Sequence, residues 1–105
     1  MSTQAVFRAL ADETRRDILR MLRSGSRTSG EIADHFDSSW PTISRHLAVL
    51  RESGLVSTRR RGSEIHYELN TSVFEDFVQH LMEWAKPATP KRASRLRRAP
   101  REQEV

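Results

Sequence analysis

Apolar residues recur at helical spacing through the first quarter of the chain and predict two short helices. The first spans Thr3–Leu10, with its apolar side chains on one side. The second runs from Asp12 to Arg23, because aspartate is a favourable N-cap residue and Gly25 stands where a C-terminal cap is expected. This pattern indicates an α-helical beginning.

Two further helices are predicted over 28–36 and 40–53, separated by a short polar turn. Thr28 and Glu31 have the spacing of a capping box, in which each side chain accepts a hydrogen bond from the other residue's backbone N–H. Ser39 is the expected N-cap of the fourth helix. The inner stripe of that helix consists of Ile43, Leu47 and Leu50.

The second half of the chain changes from helical to strand periodicity and back again. Strand character is found over Leu55–Thr58 and Ile65–Leu69, and residues 61–64 form the turn between them. Ser72 and Glu75 predict a second capping box at the start of a last helix. The apolar face of that helix comprises Val73, Phe74, Phe77, Val78, Leu81, Met82 and Trp84.

The order of these elements predicts a mainly α fold with a small β-hairpin, that is, an α+β domain. A short helix, a tight turn, a second helix and a basic hairpin make a winged helix-turn-helix. In that arrangement, the helix over 40–53 enters the DNA major groove and the hairpin contacts the flanking phosphates. The sequence therefore predicts a DNA-binding domain.

Composition narrows the function classes. The chain has 105 residues and no cysteine, which excludes disulfides, thiolate metal sites and thiol redox sensing. It contains neither a run of about 18 apolar residues nor a signal peptide's apolar core, so a cytoplasmic protein is expected. We do not expect an enzyme, because there is no glycine-rich phosphate loop, nucleophile elbow or clustered carboxylate pair.

The net charge of +4 resides at the C-terminal end of the chain. Residues 86–105 contain seven basic and two acidic side chains, whereas residues 1–85 contain eleven and twelve. We therefore expect a DNA-binding and dimerisation domain over 1–85 and a basic, disordered tail over 86–105. The tail either adds non-specific DNA affinity or only keeps the protein in solution.

The outer face of the fourth helix is short and polar, with one long donor. Arg45 points away from the inner stripe, with Thr42 and Ser44 on its flanks, and arginine paired with guanine is the commonest specific base contact. The alternative is an amphipathic helix with a solvated face. Arginines 59–61 either contact phosphates or the minor groove, or only add surface charge. Trp40 either packs under the helix entry or touches a sugar or a thymine methyl group.

The last helix carries more apolar surface than one side of a small domain can hide. This favours a homodimer in which the last helix pairs with the first, while the alternative is that the same residues only fill the core. The expected dimer interface consists of Val6, Phe7, Leu10, Val73, Phe74, Phe77, Leu81 and Trp84.

Four histidines raise the question of a metal site. Only Asp76 and His80 stand at a helical ligand spacing, and two ligands do not make a zinc site. Structural or surface histidines are therefore expected, with no metal, no other cofactor and no small-molecule effector evident.

Several motifs together resemble the ArsR-type winged-helix repressors, over about residues 4 to 85 of the chain. The residues that carry this resemblance are Phe7–Arg16, Ile18-Leu19, Ser44–Leu47, Leu50-Arg51, Ser53–Val56, Arg61-Gly62 and Tyr67–Leu69. The resemblance implies a homodimer that represses transcription by blocking a promoter, often its own. It also implies that His46 faces DNA together with Ser44 and Arg45.

Many members of that family are metal or redox sensors, and this chain departs from them. It lacks their cysteine ligands and a full Asp/His set in its last helix, so it is more similar to the branch without a recognised small-ligand site. The residues expected to contact double-stranded DNA are Thr28, Ser29, Ser39, Trp40, Thr42, Ser44, Arg45, His46, Arg51, Arg59, Arg60 and Arg61. Two alternatives are a metal-responsive repressor with His/Asp ligands and a winged-helix module that binds another protein.

Overall fold

Five helices and three short strands follow one another along residues 2–87, the part of the chain that the computed structural model describes. Their bounds are α1 Thr3–Leu10, α2 Glu13–Leu22, β1 Arg27–Thr28, α3 Ser29–Asp34, α4 Trp40–Ser53, β2 Val56–Arg61, β3 Glu64–Leu69 and α5 Thr71–Ala85. The strands form one antiparallel sheet in the order β1-β3-β2. This mainly helical arrangement with a small wing confirms the predicted fold class. The predicted tail, 86–105, lies outside the described residues apart from Lys86 and Pro87.

The helix starts follow from capping side chains. The Asp12 carboxylate accepts a hydrogen bond from the backbone N–H of Arg15, and the capping box between Thr28 and Glu31 has both of its bonds.

The third helix ends at Asp34 rather than at Phe36. The N–H groups of His35 and Phe36 bond to carbonyls three residues back, which tightens the chain into the turn before α4.

The predicted capping box of Ser72 with Glu75 is wrong. Helix α5 begins two residues earlier than that box requires, and its N-cap is Asn70, whose side-chain oxygen accepts from the N–H of Val73. Asparagine is among the strongest N-cap residues. The backbone N–H of Asn70 also donates to the Leu55 carbonyl at 2.9 Å, so the start of α5 is tied to the base of the wing.

The hairpin is longer than the apolar pattern predicted. Strand β2 continues through the arginines to Arg61, which pairs with Glu64 across a two-residue turn. Gly62 begins this turn with φ +60°, a conformation that favours glycine. Strand β1 carries no sequence signal of its own, because its two residues are strand only through their pairing with Tyr67 and His66 of β3.

A single apolar core holds all five helices against the base of the sheet. Its buried members are Val6, Ala9, Ile18, Leu19, Leu22, Ile32, Ile43, Leu47, Leu50, Leu55, Val56 and Phe77. They come from every helix and from the start of β2, so the position of α4 is set by the whole domain. None of the helices within residues 2–87 is long and apolar enough to cross a membrane.

Asp12 gives the fold a dependence on pH. Its partial burial raises the pKa, but the hydrogen bond from the Arg15 backbone and the charges of His46 and Arg15 outweigh this effect, so the pKa lies below the ordinary 3.8. A lowered carboxyl pKa stabilises the folded state above the unfolded-state pKa, and this stabilisation is lost as the pH falls through the folded-state value.

We expect Asp12→Ala to lower the free energy of unfolding by about 1 kcal/mol near neutral pH, the typical value of an N-cap. The difference from wild type should shrink in acid, because the wild-type carboxylate is then protonated. Urea unfolding near neutral pH and again below pH 3.8 measures both values. An equal difference at the two pH values would contradict an ionic contribution from Asp12.

Candidate nucleic-acid interface

Helix α4 has one buried and one exposed side. Ile43, Leu47 and Leu50 are fully or almost fully buried, whereas Ser44 and Arg45 are exposed. The helix is therefore fixed in rotation by its apolar stripe, and Ser44 and Arg45 face the solvent. This is the orientation that a base-reading helix requires.

The first turn of α4 presents both polar and apolar side chains to the solvent. Ser39 occupies the N-cap position but caps no backbone N–H; its hydroxyl lies 3.0 Å from that of Thr42. Pro41 follows in the first turn, where its missing N–H costs no bond. The Trp40 side chain is 51% exposed, so it does not pack under the helix entry as one of its two interpretations required.

The end of α4 is joined rigidly to the wing. Gly54 takes the left-handed conformation at φ 84° and ends the helix. The buried hydroxyl of Ser53 donates to the Leu50 carbonyl at 2.7 Å and accepts from the N–H of Leu55 at 3.1 Å. Since Leu55 is itself buried and leads into β2, the hairpin leaves α4 in one defined direction.

The three wing arginines are exposed but differ in their partners. Arg59 lies 3.2 Å from the Glu68 carboxylate of the neighbouring strand, which neutralises part of its charge. Arg60 donates to the Gly62 carbonyl at 3.3 Å, and Arg61 stands at the turn opposite Glu64. Because side chains alternate along a strand, Arg60 faces the side opposite to Arg59 and Arg61.

Thr28 and Ser29 lie at the start of α3 and are half-buried. The Thr28 hydroxyl accepts from the N–H of Glu31 at 3.1 Å, and the N–H of Thr28 donates to the Glu31 carboxylate at 2.8 Å. The hydrogen bond from the Thr28 backbone is the main cause of the lowered pKa of Glu31. Thr28 therefore has a structural role as the N-cap of α3. Arg51, another predicted DNA contact, is exposed on α4.

His46 turns away from the exposed face of α4, in contrast to what the resemblance implied. Its side chain is only 17% exposed and lies 3.8 Å from the Asp12 carboxylate. The ring nitrogen Nδ1 is 3.0 Å from a guanidinium nitrogen of Arg15. The same guanidinium donates to the carbonyls of Arg8 and Ala9, both at 2.9 Å. His46 thus connects α4 to the end of α1 and the start of α2.

The sequence analysis assigned no role to Arg15, whose guanidinium joins α1, α2 and α4. Two signals were available. Arg15 is the third residue after the N-cap Asp12, so its stem starts beside the end of α1, and a guanidinium offers five donors for unpaired helix carbonyls. The contact with His46 spans 31 positions and leaves no local trace in the sequence.

The predicted dimer interface divides into buried and exposed members. Val6 and Phe77 belong to the protomer's own core, so they offer almost no surface to a partner. Phe7 packs against Phe77 and stacks on Trp84, with ring centroids 5.1 and 5.7 Å apart. Trp84 is nevertheless 65% exposed. The remaining predicted members, which are half-buried, are Leu10, Val73, Phe74 and Leu81.

Two further apolar residues were left out of the predicted interface. Val78 and Met82 are 50% and 52% exposed, and they lie one turn apart on α5. Both residues are apolar in the sequence, but the apolar face of α5 is so broad that the sequence does not show which of its residues turn inward.

Within residues 2–87, no three His, Asp or Glu side chains gather into a group that could hold a metal ion.

The helix-turn-helix region matches a known family. The family model described as "Bacterial regulatory protein, arsR family" matches residues 12–58. The chain is 44% identical over 77 residues to the transcriptional repressor SdpR of Bacillus subtilis (strain 168), an alignment of 73% of this chain with 86% of that protein. It is 34% identical to the arsenical resistance operon repressor of Staphylococcus aureus, over 72% of this chain and 73% of that protein.

Solved structures agree with these sequence matches. An ArsR-like transcriptional regulator from Rhodococcus sp. RHA1 superposes with a TM-score of 0.77 at 27% identity, covering 96% of this chain and 94% of that one. A crystal structure of an ArsR family transcriptional regulator has a TM-score of 0.72 at 31% identity, covering 80% and 97%. The predicted resemblance is confirmed: this chain belongs to the ArsR family of DNA-binding, winged-helix transcription regulators, and the two relatives named above, from Bacillus subtilis and Staphylococcus aureus, are repressors.

Proposed function

We propose that two copies of this chain bind one operator as a repressor dimer, and that DNA binding requires no metal. The observation that carries the proposal is the exposed polar side of α4, with Ser44 and Arg45, opposite a buried stripe. A two-fold dimer carries two such helices, which enter successive major grooves about 34 Å apart. The protein then blocks the promoter by occupying it.

The two parts of the surface have different tasks in this proposal. Arg45 reads base edges together with Ser44 and Thr42, because a guanidinium matches the two major-groove acceptors of guanine. The wing arginines 59–61 and Arg51 contact phosphates, which hold the register without carrying base information. Arg60 and Arg61 contribute most of the wing's charge, since Arg59 is already paired with Glu68.

The absence of cysteine from the chain supports binding without a metal. Some relatives are named arsenical resistance operon repressors, and soft thiophilic metals and metalloids are held by thiolates. This chain has no thiolate to offer. An alternative with His and Asp ligands would start from Asp76 and His80, and it requires ligands beyond these two.

The first test is DNA binding by purified, metal-free protein over a series of salt concentrations. We expect tight binding to the chain's own upstream DNA and weaker binding to scrambled DNA of the same length and composition. The logarithm of the affinity should fall linearly with that of the salt concentration, as counterions are released. Weak and equal binding to both DNAs, unchanged by zinc, would contradict the repressor and favour a protein-binding module. Calorimetry with zinc tests the metal alternative directly.

The placement of His46 gives a second prediction. We expect His46→Ala to lower the free energy of unfolding by about 1 kcal/mol, the net value of one hydrogen bond, and to leave the ranking of DNA sequences unchanged. His35→Ala, at an exposed position, is the control for loss of a histidine and should change neither property. Urea unfolding and competition binding with single-base operator variants provide the two measurements. If His46→Ala changed the order of affinities among the single-base operator variants, His46 would have to be counted among the residues that read DNA bases.

A further inference from the structure

An apolar cleft lies between α2, the end of α1 and the junction of β3 with α5, and none of its lining residues belongs to the proposed DNA surface. Its volume is about 420 Å³, which falls within the range of about 300–1,000 Å³ for small-molecule sites. The residues that line it are Leu10, Arg16, Leu19, Arg20, Arg23, Leu69, Thr71 and Phe74, of which Leu10 and Phe74 were also predicted for the dimer interface. Its surface is almost entirely apolar, because the arginines contribute their hydrocarbon stems.

Two arginines of α2 and the arginine at its C-cap stand along one edge of this cleft. Arg16, Arg20 and Arg23 follow one another at helical spacing, so their guanidinium groups share a side of the helix. Arg16 donates to the Leu10 carbonyl at 2.7 Å, and Arg20 pairs with Asp17 in an exposed ion pair. Within residues 2–87, no carboxylate lies within ion-pair distance of Arg23. The mouth of the cleft therefore carries positive charge that the described residues balance only in part.

An apolar floor beside a cationic edge selects an amphiphilic anion. A hydrocarbon chain or ring gains free energy by leaving water for the leucine and phenylalanine lining. A carboxylate at its end accepts charge-assisted hydrogen bonds from Arg20 or Arg23. The same charge disfavours a basic peptide, including the chain's own arginine-rich C-terminal segment. We propose that this cleft binds a small amphiphilic carboxylate, one molecule per chain.

Calorimetric titration of the full-length, metal-free protein tests this proposal without DNA. The probe is octanoate, used below its micelle-forming concentration, with octanol and octylammonium as chain-matched neutral and cationic probes. We expect one saturable octanoate site per chain, weaker binding of octanol and weakest binding of octylammonium. Equal binding of the three probes, or no saturable octanoate binding, would overturn the proposal.

Variants locate the site on the protein. Arg23→Ala should weaken octanoate binding by about threefold to fivefold, as expected for a solvent-accessible ion pair. It should weaken octanol binding less, because octanol loses only its contact with the hydrocarbon stem of Arg23. Arg8→Ala removes an exposed arginine from α1 outside the cleft lining and should leave octanoate binding at the wild-type value. If Arg8→Ala weakened octanoate binding as much as Arg23→Ala, the effect would be one of net charge and the proposal would fail.

Thr71→Trp fills the cleft without removing any core side chain, because Thr71 is exposed at its rim. We expect it to abolish octanoate binding while the thermal unfolding temperature and the sedimentation coefficient stay at wild-type values. If Thr71→Trp bound octanoate as well as wild type does, the octanoate site would lie outside this cleft and the proposal would be wrong. Loss of self-association in this variant, with no octanoate binding in wild type, would assign the cleft to the second subunit.

Discussion

Arg45→Ala is expected to reduce discrimination between the operator and its single-base variants at one position of each half-site. A bidentate arginine–guanine pair contributes about 1–3 kcal/mol of discrimination, and each 1.4 kcal/mol corresponds to about tenfold in affinity. Because the buried stripe of Ile43, Leu47 and Leu50 holds α4, removal of one exposed side chain should leave the fold intact. Binding to scrambled DNA should change much less than binding to the operator.

Arg60→Ala is the matched control, since it also removes one exposed guanidinium. Its side chain belongs to the wing and makes only a 3.3 Å hydrogen bond to the Gly62 carbonyl. We expect Arg60→Ala to weaken binding to all sequences alike and to reduce the salt slope by about 1. Competition binding over a salt series separates the two variants. Equal loss of specificity in Arg45→Ala and Arg60→Ala would refute this division of labour.

Most of the fold could be predicted because its signals are local. The caps at Asp12 and Thr28, the left-handed Gly54 and the stripe of α4 each depend on residues within a turn or two. The start of α5 was misplaced because Asn70 and Ser72 are both good cap residues. The choice between them depends on a hydrogen bond from Asn70 to the distant Leu55, which the local pattern does not contain.

The candidate site was predicted less completely because its geometry depends on distant contacts. Helical phase places Arg45 outward, and the structure agrees. The same phase leaves His46 at the edge of the exposed face. Its inward position depends on Arg15 and Asp12, more than 30 positions away along the chain. Trp40 differs from His46 in that its side chain turns outward and is 51% exposed. The sequence could not predict this, because an aromatic residue at the start of a helix has no local feature that fixes its exposure.

In our proposal, tight operator binding requires a dimer, and the predicted dimer interface lies on α1 and α5. Val78 and Met82 are exposed large apolar side chains one turn apart on α5, and a two-fold axis beside them would bury both against the partner. Burial of a glutamate at such an interface without a partner costs several kcal/mol. Since symmetry places every substitution there twice, the effect of one mutation is doubled.

Met82→Glu is therefore expected to convert the dimer to a monomer and to weaken operator binding by about 10²- to 10⁴-fold, the gain that linkage of two binding units provides. Ser72→Glu is the matched control: it adds the same charge to an exposed position in the first turn of α5, where the helix dipole favours it. Sedimentation equilibrium and DNA binding measure the two effects. A Met82→Glu protein that stays dimeric with wild-type operator affinity would place the subunit interface on another surface. A monomer with wild-type affinity would show that one copy is sufficient to bind DNA.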